Sequence, residues 1–501
     1  MSSPATQPVI VGIGEWLDRP ADPRDGLEPV DLMLRAARVA EDDARAPLLQ
    51  QVDSLDVVNL SSWRYRDAPG LLAECLGIEP AHRAYGTVGG ESPLRLIQEA
   101  AERIIDGQSR VALICGAESQ STVGKAAAQG ITLPWTHWAE DGPAPLRGHT
   151  LVHPLAAALG CDRPATVYPF YETASTAHWG QTPSAAQRES GELWSLYARH
   201  AAGNPCAWLR EPYSPADVTT PSEQNRWIAW PYTKRMTANP QVNQGAAVLV
   251  TSLALARRAG LPEERLVHIW GGVHANEPGD FLARDHYWES HAQSTVLESA
   301  RHLAGGVFEA MELYSCFPCV PKMARRALGL PARFEPTVTG GLTFFGAPLN
   351  NYMTHATCAM VRRLRASRSF FPGLLYGQGE FVTKHHALLL ARRPYPGHPD
   401  LAFSSVQSIA DSRRGEVPPL EISPAGEGQL EAFTVIHRRD GSVAHGVAIL
   451  RTPSGTRTLA EVAADDAWTL AVLTSSEVAP IGRRGLLQPT SRGHSRWSLP
   501  R

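Results

Sequence analysis

Two stretches of this chain reach a glycine pair and then open a helix, and the repetition of that pattern constrains the fold more than any other feature. Thr87-Val-Gly-Gly90 leads through Glu-Ser to Pro93. That proline falls in a first helical turn, where its missing N–H costs least, and Leu94, Ile97, Ala101, Ile104 and Ile105 mark one helical face. Thr337-Val-Thr-Gly-Gly341 leads to Gly346-Ala-Pro-Leu349 and a helix with Met353, Thr357, Met360, Val361 and Leu364 on one face. Short apolar runs at 9–14, 53–60 and 111–116 read as strands around the first pass, and those at 245–251, 266–272 and 308–314 as strands that resume the rhythm. Alternating strands and helices predict a layered α/β core, and the echo predicts a duplicated one.

The stretch between the two passes has a different texture. Seven of the 13 tryptophans fall between residues 125 and 234. A structureless connection of that length is unusual in a compact domain, so an inserted subdomain is expected, helical over 185–202. Its aromatics serve either as hydrophobic packing for a thin insertion or as a wall over a ligand cleft. Past residue 393, Pro394-Tyr-Pro-Gly-His-Pro399 breaks the chain. The strand-like run 432–437, the hairpin signal Asp440-Gly441 and the returning run 446–450 follow. Further strands are expected at 457–461 and 468–473, giving a small β-barrel of OB-like type. The expected division is 1–125 with 236–265 as the first half of the core, 126–235 as the insertion, 266–395 as the second half, and 400–501 as the C-terminal domain.

Composition excludes several function classes. The 501 residues carry 47 basic and 50 acidic side chains, a net charge of −3, which is wrong for a polyanion binder; no nucleic-acid partner is expected. Seven scattered cysteines, an odd number, argue against a disulfide framework and for a reducing compartment. The N-terminus has no apolar signal region and no window is apolar enough for a membrane span, so the expected location is cytoplasmic. Four lysines beside 43 arginines suggest a GC-rich bacterial genome.

Individual motifs point less clearly. Gly90-Glu-Ser92-Pro-Leu94 lacks the second glycine of a G-x-S-x-G nucleophile elbow, so Ser92 reads first as part of a tight turn. Cys316-Phe-Pro-Cys319 has no second pair to complete a zinc tetrahedron. His286 and His291 stand five apart, which does not put both rings on one helical face, and no metal is expected. Thr383-Lys-His-His386 follows the glycine-rich Tyr376-Gly-Gln-Gly379, and one of its histidines is a candidate acid/base.

Taken in order, the motifs resemble the thiolase superfamily over residues 8–393. Ile114-Cys-Gly-Ala-Glu-Ser119 is similar to the turn ending the first half-core. Ala238-Asn-Pro-Gln-Val-Asn-Gln-Gly-Ala-Ala247 is similar to the segment entering that half's last strand. Leu313-Tyr-Ser-Cys-Phe-Pro318 matches the H-D-C-F stretch, and Gly340-Gly-Leu-Thr-Phe-Phe-Gly-Ala-Pro-Leu349 the G-G-x-x-x-x-G-H-P-x stretch. The degenerate pattern, with Asn225-Arg-Trp-Ile-Ala-Trp-Pro-Tyr-Thr-Lys-Arg235 and residues beyond 400, resembles thiolase-like proteins of type 1, which are commonly labelled acetyl-CoA acetyltransferases. The implied fold is a duplicated α-β-α-β-α core with an inserted loop domain and an additional C-terminal domain.

The departures from the pattern shape the functional expectation. The resemblance puts the nucleophilic cysteine at Gly90 and the histidine of G-H-P at Ala347. It puts the oxyanion residue at Tyr314, and the second cysteine within 370–390, where none occurs. A glycine cannot carry a thioester, so ordinary thiolase chemistry is not expected. The resemblance implies CoA or acyl-CoA as ligand, with Arg226, Lys234 and Arg235 near its phosphates and the turn from Asn239 through Gln241 to Gln244 against pantetheine. Alternatively Tyr314, His385, Ser92 or Cys316 acts on a CoA-linked substrate by proton transfer, or the β-domain binds a partner protein. A role in lipid metabolism and a monomer or homodimer are the accompanying expectations.

Overall fold

The computed structural model describes residues 6–142, 152–397 and 402–501; the polar N-terminus and the proline-rich break at 394–399 lie partly outside them. The first pass of the chain supplies β1 (Pro8–Leu17), β2 (Ser54–Val57), β3 (His82–Tyr85) and β4 (Val111–Ser119). A short hairpin, β5 (Trp227–Trp230) and β6 (Tyr232–Thr233), precedes β7 (Asn243–Ser252). The second pass supplies β8 (Val267–Asn276), β9 (Ala310–Leu313), β10 (Gly373–Gly379), β11 (Lys384–Ala391) and the short β12 (Phe403–Ser405).

The core strands stand in the order β3-β2-β4-β7-β1-β8-β11-β10-β9. Outward from β1 the pairings run antiparallel to β7, antiparallel to β4, then parallel to β2. Outward from β8 they run antiparallel to β11, antiparallel to β10, then parallel to β9. The two halves therefore repeat one topology, apart from β3 at the edge of the first and β12, which pairs parallel with β8 in the second. They meet through two residue pairs, Val9 with His268 and Ile10 with Val267.

The two helices that follow the glycine pairs, Ser92–Ile105 and Tyr352–Ala366, each pack against strands of both halves. Their predicted faces are buried, from Leu94 through Ile104 and from Met353 through Leu364. A helix exposed to apolar surface on opposite sides needs just such a wide apolar girth. Helix Pro29–Ala44 covers the outer side of β1 and β7, and helix His291–Leu303 that of β8 and β11, completing the α-β-α-β-α layering. Among the described residues no helix is long and apolar enough to cross a membrane.

Beyond the core, β13 (Gly426–His437), β14 (Val443–Arg451), β15 (Arg457–Val462), β16 (Arg484–Pro489) and β17 (Ser495–Ser498) close into a five-stranded barrel. Closure works because β13 is long. It pairs with β16 at Gly426–Gln429 and with β14 over most of its length, which removes the sheet edges. Leu430, Phe433, Leu450, Val462 and Trp497 fill the interior. The strand expected at 468–473 is instead the helix Ala467–Leu473. Asp466 caps it by accepting from the Thr469 N–H at 3.0 Å, and Leu470 and Leu473, three apart, turn together onto the barrel.

Buried charge in the second half gives a pH signature. Glu277, on the loop after β8, accepts from the Ser290 hydroxyl at 2.7 Å and the Ala292 N–H at 2.9 Å, beside buried Arg284. Burial pushes its carboxyl up, but Arg284 and these donors outweigh that and hold it at about 2. A carboxyl depressed on folding stabilises fully above its unfolded value, about 4.3, and loses that contribution as pH falls towards about 2. Urea midpoints are therefore expected to drop between pH 5 and pH 3, with a shallower drop in Glu277→Gln. Equal slopes for the two chains would contradict this assignment.

Candidate functional site

The glycine-pair loop, the end of β9, the turn after Gly340 and the end of β10 converge on one cavity of about 880 Å³. Gly90, Tyr314, Cys316, Ala347 and Gln378 line it. The loop is fixed from beneath: the Gly89 N–H donates to the Asn350 side chain at 3.0 Å, whose amide donates to the Asn59 carbonyl at 3.0 Å.

Packing at Gly90 is unusually close. A Cβ placed there would lie 2.2 Å from the Tyr314 hydroxyl oxygen and 2.5 Å from the Gln378 carbonyl oxygen. The phenol thus occupies the space a side chain at position 90 would need. Burial first, then the neighbouring Cys316 and Glu91, push the Tyr314 hydroxyl well above its ordinary range, so it stays protonated. The Gln378 amide donates to the Tyr168 hydroxyl at 2.7 Å and to Cys316 Sγ at 3.1 Å. Burial pushes the Cys316 thiol up to about 12 against the contributions of Tyr168 and Gln378, so it is not a thiolate at neutral pH.

Beside Gln378 the wall is strained. Glu380, Phe381 and Val382 all take left-handed backbone conformations, with φ of 49°, 65° and 62°. For a β-branched residue this costs on the order of 1–3 kcal/mol, which surrounding contacts must offset. Those contacts are specific. Tyr171 donates to the Phe381 carbonyl at 2.7 Å, Arg284 to the Val382 carbonyl, and the Val382 N–H to Gln378 Oε1 at 3.1 Å. Lys384 pairs with Glu380 and donates to the Val88 carbonyl at 2.7 Å, lashing the turn to the glycine loop.

Two of the four candidate catalytic residues, Tyr314 and Cys316, line this cavity with Gly90 and Ala347; Ser92 and His385 do not. Ser92 is fully buried in the first turn of its helix. His385 has its polar atoms engaged elsewhere. A carbonyl only accepts, so the Val382 carbonyl 3.1 Å from Nε2 makes Nε2 the protonated nitrogen, leaving Nδ1 to accept from Tyr376 at 2.7 Å. Burial lowers its pKa to about 4. Tyr168, Gln378 and Phe381 line the cavity without having been singled out from sequence.

A second cavity, about 830 Å³, adjoins the first, and Thr237, Ala238, Pro240 and Gln241 line both. All five candidate cofactor-binding residues, Arg226, Lys234, Arg235, Asn239 and Gln241, line it, joined by Arg439 from the β13–β14 hairpin. Its arrangement follows from strand register. β5 pairs with β13 at Trp230–Val435 and Ala229–Ile436, which brings the segment before β5, with Arg226, and the hairpin after β13, with Arg439, to the same side of the cavity lining. Four cations face this space and one carboxylate, Glu223. Arg235 donates to the Asp217 carbonyl at 2.9 Å and lies over the Tyr213 ring at 4.7 Å. Arg226 donates to the Trp227 carbonyl at 3.1 Å.

The insertion contributes Asp162 to Ala165 and Tyr168 to the first cavity, so it walls the cleft as well as filling space. Tyr168 stacks on Phe317 with ring centroids 4.5 Å apart. The tryptophans of the insertion serve packing instead, and none of them lines either cavity. Trp194 is buried and donates to Thr343 at 3.0 Å, while Trp135 and Trp138 pack edge-on against Trp63 away from the cleft.

Comparison with known proteins agrees with this architecture. Residues 407–491 match the family model of the thiolase-like protein type 1 additional C-terminal domain. Among solved structures, a monomeric SCP2-thiolase-like protein type 1 from Mycobacterium smegmatis superposes with a TM-score of 0.82 at 27% identity, covering 99% of this chain and 100% of that one. An acetyl-CoA acetyltransferase from Syntrophomonas wolfei gives a TM-score of 0.54 at 16% identity, covering 77% of this chain and 99% of its own. Human mitochondrial 3-ketoacyl-CoA thiolase in complex with CoA gives 0.55 at 13% identity, covering 77% of this chain and 98% of its own. No curated protein matches the chain in sequence. The chain is a thiolase-superfamily homologue that resembles thiolase-like protein type 1 along its length and carries the additional C-terminal domain of that family.

Proposed function

We propose that the two adjoining cavities bind CoA or an acyl-CoA and that the chain does so without a covalent acyl-enzyme. The reading sets the phosphates against Arg226, Lys234, Arg235 and Arg439, the pantetheine along residues 237–241, and the acyl end beside Tyr314. The observation that carries it is the shared lining: a cavity with four cations and one carboxylate adjoins one without a cationic excess, across Thr237, Ala238, Pro240 and Gln241, which suits a ligand anionic at one end and neutral at the other. Loss of covalent chemistry is supported by the phenol filling the space above Gly90, by Ala347 where an activating histidine would stand, and by the protonated state of Cys316. A second reading, non-covalent acid/base chemistry on a CoA-linked substrate, draws on the protonated Tyr314 hydroxyl, a hydrogen-bond donor facing the cavity.

Charge reversal tests the ligand assignment. Lys234 and Arg439 are exposed, so Lys234→Glu and Arg439→Glu leave the core untouched. Hydrogen bonds to charged groups contribute about 1.5–3 kcal/mol, so each variant is expected to weaken CoA binding about 10–100-fold by calorimetry. Unchanged affinity in both would remove the phosphates from this cavity.

A further inference from the structure

The motif His286-Tyr-Trp-Glu-Ser-His291 finds no use in the CoA cleft. Its spacing alone separates the rings on any regular helix, but the structure does not make it one helix. His291 is the first residue of helix His291–Leu303, capped by Ser290, while His286 lies in the irregular segment before it. The chain doubles back, and the two rings stand with centroids 5.0 Å apart at 67°. Between them sits a residue that spacing arguments omit, Asp285. Its Oδ2 is 2.8 Å from His291 Nε2 and 3.6 Å from His286 Nε2, and Glu289 Oε1 is also 3.6 Å from His286 Nε2.

The 2.8 Å contact is a hydrogen bond, which a bound ion would replace; the two longer distances are the informative ones. At 3.6 Å an N···O contact is too long for a hydrogen bond. It is close to the edge of a tetrahedron around an ion with bonds of about 2.0–2.1 Å, which is about 3.3 Å. Ligand atoms of Asp285, His286 and His291 all lie within 4.8 Å of one another. The donors are held in place. Asp285 Oδ2 accepts from the Gly415 N–H at 2.8 Å and Oδ1 from the His286 N–H at 2.9 Å. The His286 ring is stacked on Trp288 at 3.8 Å, and Trp288 on His178 at 4.8 Å. Such outer contacts orient ligands before an ion arrives. Glu289 and His291 also line an open cavity of about 530 Å³, which gives an entry path and room for a water ligand.

We propose that Asp285, His286 and His291, with Glu289 as the fourth donor, bind one divalent transition-metal cation of the zinc type. Two imidazoles and carboxylates form a borderline donor set that suits such ions over magnesium or calcium. The place explains what the ion would do. The Asp285 carbonyl accepts from barrel residue Arg457 at 2.9 Å, and Gly415 belongs to the segment leading into the barrel. The cation fastens the seam between the core and the C-terminal domain.

The test uses the full chain, dialysed against chelator and titrated with zinc chloride, then with cobalt chloride. One zinc per chain is expected, with a melting temperature that rises with free zinc, and a visible cobalt band of tetrahedral intensity. His286→Gln is expected to weaken zinc binding at least about 100-fold. Asp285→Asn, which turns one of the two oxygens accepting from Gly415 and His286 into a donating amide, is expected to do the same and to lower the metal-free melting temperature as well. Glu298→Gln, in the same cavity, is expected to bind as the parent does. Absence of stoichiometric binding, or binding that survives both ligand variants, would overturn the site and leave Asp285 and His291 a simple ion pair.

Discussion

Gly90→Cys is expected to give a destabilised chain that forms no acyl-enzyme. The new Cβ would sit 2.2 Å from the Tyr314 oxygen and 2.5 Å from a backbone carbonyl at Gln378. The phenol can shift, but the carbonyl belongs to β10 and resists. Overpacking of this kind costs typically about 1–3 kcal/mol, and here the backbone contact argues for the upper end. Denaturant unfolding of Gly90→Cys and of Gly90→Cys/Tyr314→Ala measures it, and the double variant is expected to recover only part of the loss. The thiol would also lack an activating base, since Ala347 stands across the cavity. A Gly90→Cys chain as stable as the parent, or one that accumulates a thioester, would show that the phenol does not exclude a side chain there.

Lys322→Ala is expected to cost about 3–5 kcal/mol, because it strands a buried carboxylate. Lys322 and Glu172 pair with side chains that are 0% and 2% exposed. Tyr232 donates to the other carboxylate oxygen at 2.8 Å, and Lys322 reaches Ser190 at 3.1 Å. These four residues come from helices Cys319–Ala327, Pro164–His178 and Pro183–Gly203 and from β6, so the pair pins the insertion to the core. Tyr168 sits one turn before Glu172 on the same helix, which couples the clamp to the cleft wall. Lys322→Met/Glu172→Leu is expected to lose much less, since no charge is left unpaired. Urea unfolding separates the cases; a single-variant loss under about 1 kcal/mol would show the pair to be solvated.

How far the sequence reached depends on the range of the interactions concerned. The helix that begins around Pro93 was readable because proline position and apolar spacing are local signals. The helix at 467–473 was misread because a short apolar run carries little periodicity, and its Asp466 cap decides the matter. Tyr314, Cys316 and the cationic residues around 226–241 emerged from motif order, since their motifs shape the cleft's own backbone. His385 drew attention as a histidine near glycines, yet Tyr376 and the Val382 carbonyl hold both of its nitrogens. Tyr168 lies some 200 residues from its partner Gln378, and only tertiary packing joins them. Gln378 did carry a signal, a polar residue between Gly377 and Gly379 in an otherwise buried strand. Asp285 was passed over because it adjoins His286 rather than standing at a ligand spacing, and a reversing chain erases that distinction.

One measurement addresses the central claim, a CoA cleft without covalent catalysis. The chain is equilibrated by dialysis with acetyl-CoA labelled in the acetyl group, and label is counted with the native protein and again after denaturation. The account predicts saturable retention by the native chain and complete release on denaturation. Label that stays with the denatured chain would reveal an acyl-enzyme, and no retention by the native chain would remove acetyl-CoA from the cleft.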